Sequence, residues 1–416
     1  MPKFIRFFIV RIYSEYYIFK IKVFLKKEYP EYLIKNRAKT NIKPRILFYH
    51  ISGLSFGGTE KFLQILAKHL NYNKYDIYFM YSSKPRYGFG NKSLDGRLDY
   101  LKDTPINFIP FDYEKLENKY PYFVYGMSPS IFEVIQKYNI DLLITAGSGY
   151  SEFPFNVIKD IPIILLNIFG SPNAQKNIVY NVCISKAVAR KTSAVIPKER
   201  LKIMYIQSEE PTADSVRLGR ELRQKLGILD DEIIFGRIGR ADDNIFDPIG
   251  IRAFQKTIKE FPRIHYLIMS PPPILEKIVE NDGIANVHFL PPSADENDIW
   301  AFHQAIDVLS HFRKDGESCG LNIVESMLCG KPIISHKSRI WNAHLEYLDD
   351  SFSRVADVDN TTQYADYLKF FAQDKDKTMI KKMGELARQK AELLFLIKNN
   401  INYFEIWLNE ALKNTK

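Results

Sequence analysis

Short apolar runs alternate with helical patterns along most of the chain, beginning at Arg45. Each run holds about five mostly apolar residues, which is typical of parallel strands covered on both faces. The segments between the runs space their apolar residues three or four positions apart, as amphipathic helices do, and one such helix is predicted from about Thr59 to Leu70. The strands predicted in this first series are Arg45–His50, Tyr75–Tyr81, Asp141–Thr145, Ile161–Leu166 and Asn181–Ser185.

A second series of the same kind follows a helix predicted at Val216–Leu226. Its strands are predicted at Ile233–Ile238, His265–Met269, Val287–Leu290, Val308–His311 and Pro332–Ser335. The chain then ends in helical patterns at about Thr361–Phe371 and Ile380–Leu412. Two strand and helix series predict an α/β protein of two Rossmann-like domains that face a central cleft.

The length of 416 residues also favours two domains, because one hydrophobic core rarely organises so long a chain. The junction between the two series is expected near Thr212–Gly219. The predicted divisions are a basic, aromatic N-terminal helical extension at residues 1–43, a first domain at 44–213, a second at 214–390, and a C-terminal helix at 391–416 that packs back toward the first lobe.

The net charge of +9 lies entirely at the N-terminus. Residues 1–45 contain twelve Lys and Arg but only three Glu, so the rest of the chain is neutral. Because Phe, Ile and Tyr are interleaved with these cations, residues 1–43 are expected to contact an anionic membrane surface. A merely solvated arm is the alternative, and binding of nucleic acid through the same cations is less favoured.

The chain contains no apolar run of 18 residues, and its N-terminus lacks the uninterrupted apolar core of a secretory signal. The three cysteines, Cys183, Cys319 and Cys329, have neither metal-ligand spacing nor an even count. These features predict a cytoplasmic protein, attached peripherally at the inner face of a membrane if the basic arm binds lipid. The eight histidines include no pair at ligand spacing, so no metal site is expected.

The segment DGESCGLNIVESMLCGKP carries the clearest candidate chemistry. If a helix begins near Gly320, the backbone amides of Gly320, Leu321 and Asn322 are unsatisfied donors that can receive a diphosphate. Glu325 would lie about one turn inside that helix, where it could accept hydrogen bonds from ribose hydroxyls. Glu317, on the loop before the helix, would face a sugar.

A second candidate is the segment SFGGTEK, which follows the first strand and opens a helix. Gly57 and Gly58 would let backbone amides approach a phosphate at the helix N-terminus, although a simple tight turn explains the same pair. His50 ends the first strand beside this loop, where clefts form. Ser148 and Tyr150 could hydrogen-bond a hydroxyl, but a Gly-Ser-Gly turn needs no function.

From Arg45 onward the chain resembles the group 1 (family 4) glycosyltransferases, which have the GT-B architecture. Glu317 and Glu325 match the E-x7-E motif of that family, Gly320 stands at its expected place, and SMLCGKPIIS follows where the family has EAMACGKPVV. The segments GGTEKFLQILAKHL, VCISKAVAR, NVHFLPP and AIDVLSHFRKDGESCG also resemble the family.

The resemblance implies a retaining transferase that moves a hexose-type sugar from a nucleoside-diphosphate sugar, without a metal or another cofactor. Residues 44–213 would then bind the acceptor and residues 214–390 the donor. Glu317 would contact the hydroxyls of the donor sugar, and Glu325 would hold the ribose. Gly58 would contact the diphosphate or the acceptor from the opposite lobe.

One feature of the family is missing. The family has an Arg followed five or six residues later by a Lys, and both cations neutralise the diphosphate leaving group. Arg240 takes the place of the Arg, but Ile245 and Phe246 stand where the Lys is expected, which predicts slower transfer. Arg237 or Arg252 could replace the Lys, although Arg237 on a strand is expected to point elsewhere.

The basic aromatic N-terminus favours a glycan or lipid-linked acceptor in surface polysaccharide, lipopolysaccharide or glycolipid assembly. Two alternatives remain. Ile245 would suit a non-catalytic glycosyltransferase-like scaffold or glycan-binding subunit, and the basic arm would suit a nucleic-acid-directed sugar transferase.

Overall fold

The computed structural model describes residues 42–82, 96–114, 126–149, 154–156, 158–159, 161–171, 175–293 and 295–413, together with Tyr16, Phe19 and Val23. The predictions for Tyr150 and for nearly all of residues 1–43 lie outside these residues. The chain divides into two compact units. The first comprises residues 1–183, 190–202 and 401–416, and the second comprises residues 184–189 and 203–400.

The first half of the chain builds a seven-stranded sheet in the order β3-β2-β1-β6-β7-β8-β9, with parallel pairing from β3 through β8. Its register aligns Ile46 with Ile77 and with Leu142. A short antiparallel pair, β4 and β5, lies outside this sheet. The elements are β1 (Arg45–Tyr49), α1 (Gly58–His69), β2 (Asp76–Tyr81), α2 (Leu98–Leu101), β3 (Asn107–Pro110), β4 (Asp112–Glu114), β5 (Gly126–Ser128), α3 (Ile131–Lys137), β6 (Leu142–Gly147), β7 (Ile163–Asn167), β8 (Ile178–Cys183), α4 (Lys186–Thr192) and β9 (Leu201–Ile203).

The second half builds a six-stranded parallel sheet in the order β12-β11-β10-β13-β15-β17, and β14 pairs with β16 beside it. The elements are α5 (Ser215–Lys225), β10 (Ile233–Ile238), α6 (Ile249–Thr257), β11 (Ile264–Met269), α7 (Pro273–Asn281), β12 (Val287–Leu290), α8 (Glu296–Ala305), β13 (Val308–Ser310), β14 (Gly316–Glu317), α9 (Leu321–Leu328), β15 (Ile333–His336), β16 (Trp341–Asn342), β17 (Ser353–Ala356), α10 (Thr361–Ala372), α11 (Thr378–Phe395) and α12 (Ile397–Lys413).

The predicted α/β class with two Rossmann-like sheets is confirmed, and the buried strands explain why the pattern revealed it. The strand β7 is buried at all five positions and β1 at four of five, because helices cover both faces of each sheet. Each unit has a contiguous apolar core around its own sheet. Continuous apolar runs therefore mark the central strands directly.

Seven of the described strands escaped prediction: three are edge strands of the two main sheets, and the short strands β4, β5, β14 and β16 form the two-stranded sheets. The strand β3 has exposed positions at both ends and finishes in Pro110, and β9 has no buried position. The strand β17 reads SRVA and has two half-buried residues. Edge strands do not need an unbroken apolar run, so hydrophobicity alone does not separate them from loops.

The helix predicted at Ile380–Leu412 is two helices, which is a correction. Leu396 interrupts it in an extended conformation, with φ −80° and ψ 115°, and forms a bridge with Ser208. The Ser208 amide donates to the carbonyl of Phe395, and the Ile397 amide donates to the carbonyl of Ser208. A helical pattern cannot reveal this break, because the backbone partner comes from a distant part of the sequence.

The last residues of the chain belong to the first unit. The carboxylate of Glu405, on α12, accepts hydrogen bonds from the Asn71 amide and the Lys74 ammonium, both at 2.9 Å. Tyr75 donates to Asn409 at 3.0 Å. These contacts fasten α12 to the loop between α1 and β2.

Each sheet has one place where the strand order reverses direction. In the first sheet this switch lies between β1 and β6, and in the second it lies between β10 and β13. In open parallel sheets, ligands bind outside the carboxyl ends of the strands at such a switch.

Among the helices that the structure describes, none combines the length and apolar character needed to span a bilayer.

Candidate functional site

Gly320 sets the start of α9 in the second unit. It adopts the left-handed conformation with φ +97°, and its carbonyl accepts hydrogen bonds from the amides of Ile323 and Val324. The amides of Leu321 and Asn322 have no acceptor within the described part of the chain. Unsatisfied amides at a helix N-terminus attract anions. The helix therefore begins where the sequence predicted it, and its donors are open.

The side chain of Asn322 joins α9 to the central strand β10. Its amide nitrogen donates to the carbonyl of Ile238 at 2.8 Å. Ile238 is the last residue of β10, and Gly239 and Arg240 follow it directly. The Arg240 side chain is exposed, and no carboxylate of the described residues lies within 4.0 Å of its guanidinium. Its charge is therefore available to a ligand.

Glu317 lies on β14, held between two basic side chains. Its Oε1 is 3.2 Å from Nε2 of His311 and 3.7 Å from Nη1 of Arg313. Burial alone would raise the pKa of the Glu317 carboxyl, but the hydrogen bond and charge of His311 and the charge of Arg313 outweigh it, so the pKa lies below its usual value. A fixed, ionised carboxylate results.

Glu325 lies inside α9 and is almost fully buried. Its Oε2 is 3.5 Å from Nε2 of His303, while Nδ1 of the same imidazole lies 2.7 Å from the hydroxyl of Ser326. Only 3% of the Glu325 side chain is exposed. One observed partner of this carboxylate is thus a histidine on α8, and the contact with a ribose stays a prediction.

Ile245 is half-buried and supplies only its backbone, whose carbonyl accepts a hydrogen bond from the Lys314 amide at 3.0 Å. Arg252, considered as a replacement for the missing Lys, pairs with Asp282. It lines a pocket of about 370 Å³ beside the carboxyl ends of β10, β13, β15 and β17. None of the side chains predicted to bind the donor lines that pocket.

In the first unit, Gly57 precedes α1 and the carboxylate of Glu60 lies against it. A side chain added at Gly57 would collide with that carboxylate. Gly57 itself has an ordinary extended conformation, with φ −77°. The N-terminus of α1 therefore already has a negative charge from its own chain, and a phosphate approaching Gly57 or Gly58 would meet repulsion from Glu60.

A pocket of about 240 Å³ lies at the switch point of the first sheet. It brings together His50, Thr59, Glu60 and Ser148, which come from three separate segments of the chain. Nδ1 of His50 accepts from the Ser52 amide at 3.2 Å and lies 3.8 Å from the Glu60 carboxylate. The pocket offers hydroxyl, imidazole and carboxylate groups to a polar ligand.

The three cysteines are free thiols. Burial raises the pKa of Cys319 to about 12 and that of Cys183 to about 11. Neither thiol is ionised at neutral pH, and the thiolate is the nucleophilic form of cysteine. Cys319 therefore acts as a packing residue under the α9 start, where Tyr347 donates to its carbonyl.

Sequence reasoning missed the support around Glu317. His311 and Arg313 both contact the carboxylate, and neither is marked by the motif that contains Glu317. Glu60 was also missed, although it stands three residues after Gly57, where helix N-termini favour an acid. An acidic residue in the first helical turn was the available signal for Glu60.

Residues 220–390 match the sequence profile of a family described as Glycosyl transferases group 1. No curated protein matches the chain. Solved structures with a similar fold include a glycosyltransferase from Rickettsia africae ESF-5, with TM-score 0.68 and 15% identity over 90% of this chain and 100% of that chain. Alr3699/HepE from Anabaena in complex with UDP and glucose has TM-score 0.64 and 16% identity over 88% and 99%. Sucrose-phosphate synthase from Thermosynechococcus elongatus has TM-score 0.65 and 14% identity over 89% and 100%.

Proposed function

We propose that this protein is a retaining, family 4 glycosyltransferase that moves a hexose-type sugar from a nucleoside-diphosphate sugar to a glycan or lipid-linked acceptor. The observation that carries the proposal is the open start of α9 at Gly320, beside the fixed carboxylate of Glu317. Both lie within the segment that matches the group 1 glycosyltransferases. The neighbour Alr3699/HepE was solved with UDP and glucose, which makes UDP the first nucleotide to examine.

The proposed donor contacts follow from charge and hydrogen-bonding capacity. The amides of Gly320, Leu321 and Asn322 donate to the diphosphate, and Arg240 neutralises part of its charge. Such fixed donors stabilise the charge that develops on the leaving group as the glycosidic bond to phosphate breaks. Glu317 accepts hydrogen bonds from the sugar hydroxyls, and no metal is needed.

The acceptor is proposed to bind the pocket of His50, Glu60 and Ser148 in the first unit. A carboxylate and an imidazole suit sugar hydroxyls better than they suit a phosphate, because Glu60 repels anions. Gly57 and Gly58 would then shape this pocket without contacting the diphosphate.

The direct test is a transfer assay with purified protein and the UDP, GDP and ADP sugars, in the presence and absence of EDTA. Transfer or slow donor hydrolysis that is unaffected by EDTA supports the proposal. If the protein binds these donors without consuming them, the non-catalytic alternative favoured by Ile245 is correct. If it binds none of them, the proposal fails.

Replacing Glu325 with glutamine should weaken UDP binding, because a buried hydrogen bond between a carboxylate and a ribose hydroxyl contributes about 1.5–3 kcal/mol. Thermal shift measures this: at 100 times its dissociation constant a ligand stabilises the wild type by about 2.7 kcal/mol. The shift should shrink for the Glu325→Gln protein at the same UDP concentration. If UDP shifts the melting temperature of both proteins equally, Glu325 does not bind the ribose.

Residues 1–43 are proposed to attach the protein to the inner face of a membrane, in surface polysaccharide, lipopolysaccharide or glycolipid assembly. The full chain should co-sediment with vesicles that contain anionic lipid, and deletion of residues 1–43 should abolish the co-sedimentation. Salt should weaken the association, because surface charges are screened. Salt-sensitive binding of DNA without vesicle binding would instead favour the nucleic-acid-directed alternative.

A further inference from the structure

Arg237 is a buried cation without a carboxylate partner. It lies within the apolar strand β10 and is 4% exposed. Its Nε and Nη1 are sealed from solvent without a hydrogen-bond acceptor in the described structure. The guanidinium instead lies 4.9 Å from the centre of the Phe312 ring. Burying a charge without a partner is costly, so an unpaired guanidinium calls for an explanation.

The charge on this group persists at neutral pH. Burial lowers the pKa of Arg237 to about 10, which still leaves it protonated. Its electrostatic neighbours are Tyr266 and Tyr364, which stay neutral because burial raises the pKa of both, the like charge of Arg313, and Glu317, whose carboxylate is already held by His311 and Arg313. The surroundings of Arg237 thus lack a dedicated anion from the protein itself.

Gly239 gives access to the guanidinium. The position of a β-carbon at Gly239 would be 3.7 Å from Nη2 of Arg237 and 3.9 Å from its Cζ and Nη1, and these are the nearest atoms it would meet. Nη2 is not one of the sealed nitrogens. Because glycine has no side chain, the space above its α-carbon stays open toward the guanidinium.

This opening belongs to the same end of β10 as the candidate donor site. Arg240 follows Gly239 directly in the sequence, and Ile238 precedes it. The side chain of Asn322 joins the start of α9 to the carbonyl of Ile238. A phosphate placed at the α9 amides is therefore beside the opening over Gly239.

We propose that Arg237 binds the diphosphate of the nucleotide sugar across Gly239, as a second cation beside Arg240. The inference rests on the proposed function and deepens it, since it supplies the positive charge that Ile245 does not. Within a buried site a charge-assisted contact is stronger than at the surface. The ligand also relieves the unpaired charge of the unliganded protein.

The test compares Arg237→Met and Gly239→Ala with the wild type, using UDP, inorganic pyrophosphate and uridine as probes. Titration calorimetry gives each Kd, and thermal melting gives the Tm without ligand. We expect both variants to bind UDP and pyrophosphate about tenfold or more weakly, since one charged hydrogen bond is lost. Uridine binding should not change. The Tm of Arg237→Met without ligand should equal or exceed that of the wild type, because a buried charge is removed.

Gly239→Ala keeps the test decisive if Arg237→Met folds poorly, because its added methyl group would make ordinary contacts at 3.7 Å. Arg263→Met is the matched control. Arg263 is exposed, pairs with Asp231, and lies immediately before β11 at the amino end of the sheet. It should bind UDP as the wild type does. A lower Tm for Arg237→Met, together with unchanged UDP binding in both variants, would overturn the inference and leave the proposed function standing. A wild type that binds none of the nucleotides or pyrophosphate would overturn both.

Discussion

Replacing Glu317 with glutamine should lower the kcat of sugar transfer by about 10²–10³-fold, the effect of removing one preorganised electrostatic group from an active site. The Kd for UDP should change little, because UDP lacks the sugar that Glu317 is proposed to contact. The substitution keeps the size of the side chain and removes only its charge. Steady-state assays with the donor sugar and UDP titrations measure the two quantities separately.

The matched control is Glu221→Gln, which removes an exposed carboxylate that pairs with Arg217 on α5. It should leave both quantities unchanged. A Glu317→Gln protein that transfers sugar at the wild-type rate would remove Glu317 from the catalytic site.

The same variant should also alter the dependence of stability on pH. The folded protein lowers the pKa of Glu317 below its ordinary value of 4.5, so the ionised group stabilises the fold above that pH. This contribution is lost as the pH falls through the lowered pKa. The Tm of Glu317→Gln should therefore fall less steeply than that of the wild type below about pH 4.5. An identical slope would show that His311 and Arg313 do not act on this carboxylate as proposed.

Replacing Gly320 with alanine should weaken UDP binding by about 10²-fold, because two charge-assisted amide contacts would be misplaced. Gly320 has φ +97°, and an added β-carbon would lie 3.1 Å from Oη of Tyr347 and 3.2 Å from Cδ1 of Ile323. Alanine would thus tend to shift the backbone that aims the amides of Leu321 and Asn322. The left-handed conformation should also cost about 1–2 kcal/mol of stability.

Gly283→Ala separates strain from loss of the site. Gly283 also has a positive φ, of 59°, but a β-carbon there meets nothing within 4 Å. It should lose stability like Gly320→Ala and bind UDP like the wild type. If both variants keep full UDP affinity in calorimetric titration, the α9 start is not where the diphosphate binds.

Several parts of the fold could be predicted from the sequence. The strands β10 and β12 lie at the residues predicted, since each run begins after a polar residue, Glu232 or Asn286, and ends before Gly239 or Pro291. The start of α9 at Gly320 was predicted from one glycine before an apolar helix. These features are local, because they depend on neighbouring residues and on burial of both sheet faces.

The side chains that surround the candidate site were much harder to predict from the sequence. The motif identified Glu317 and the family resemblance identified Arg240, but neither could show that His311 and Arg313 contact Glu317. The sequence left open whether Gly57 serves a phosphate or a simple turn, and the carboxylate of Glu60 lies against this glycine. Electrostatic environment depends on which side chains meet in space, and that is not encoded in local spacing.

By itself, the sequence determined the α/β class, the positions of the central buried strands along the chain and the motif that begins α9, because apolar periodicity and glycine placement act over a few residues. The tertiary structure alone decided that Leu396 breaks the last helix, that Glu325 contacts His303, and that Arg237 lies buried and unpaired beneath Gly239. The physical reason is that burial and charge pairing arise from segments far apart in the chain, brought together only when the sheet and its helices pack.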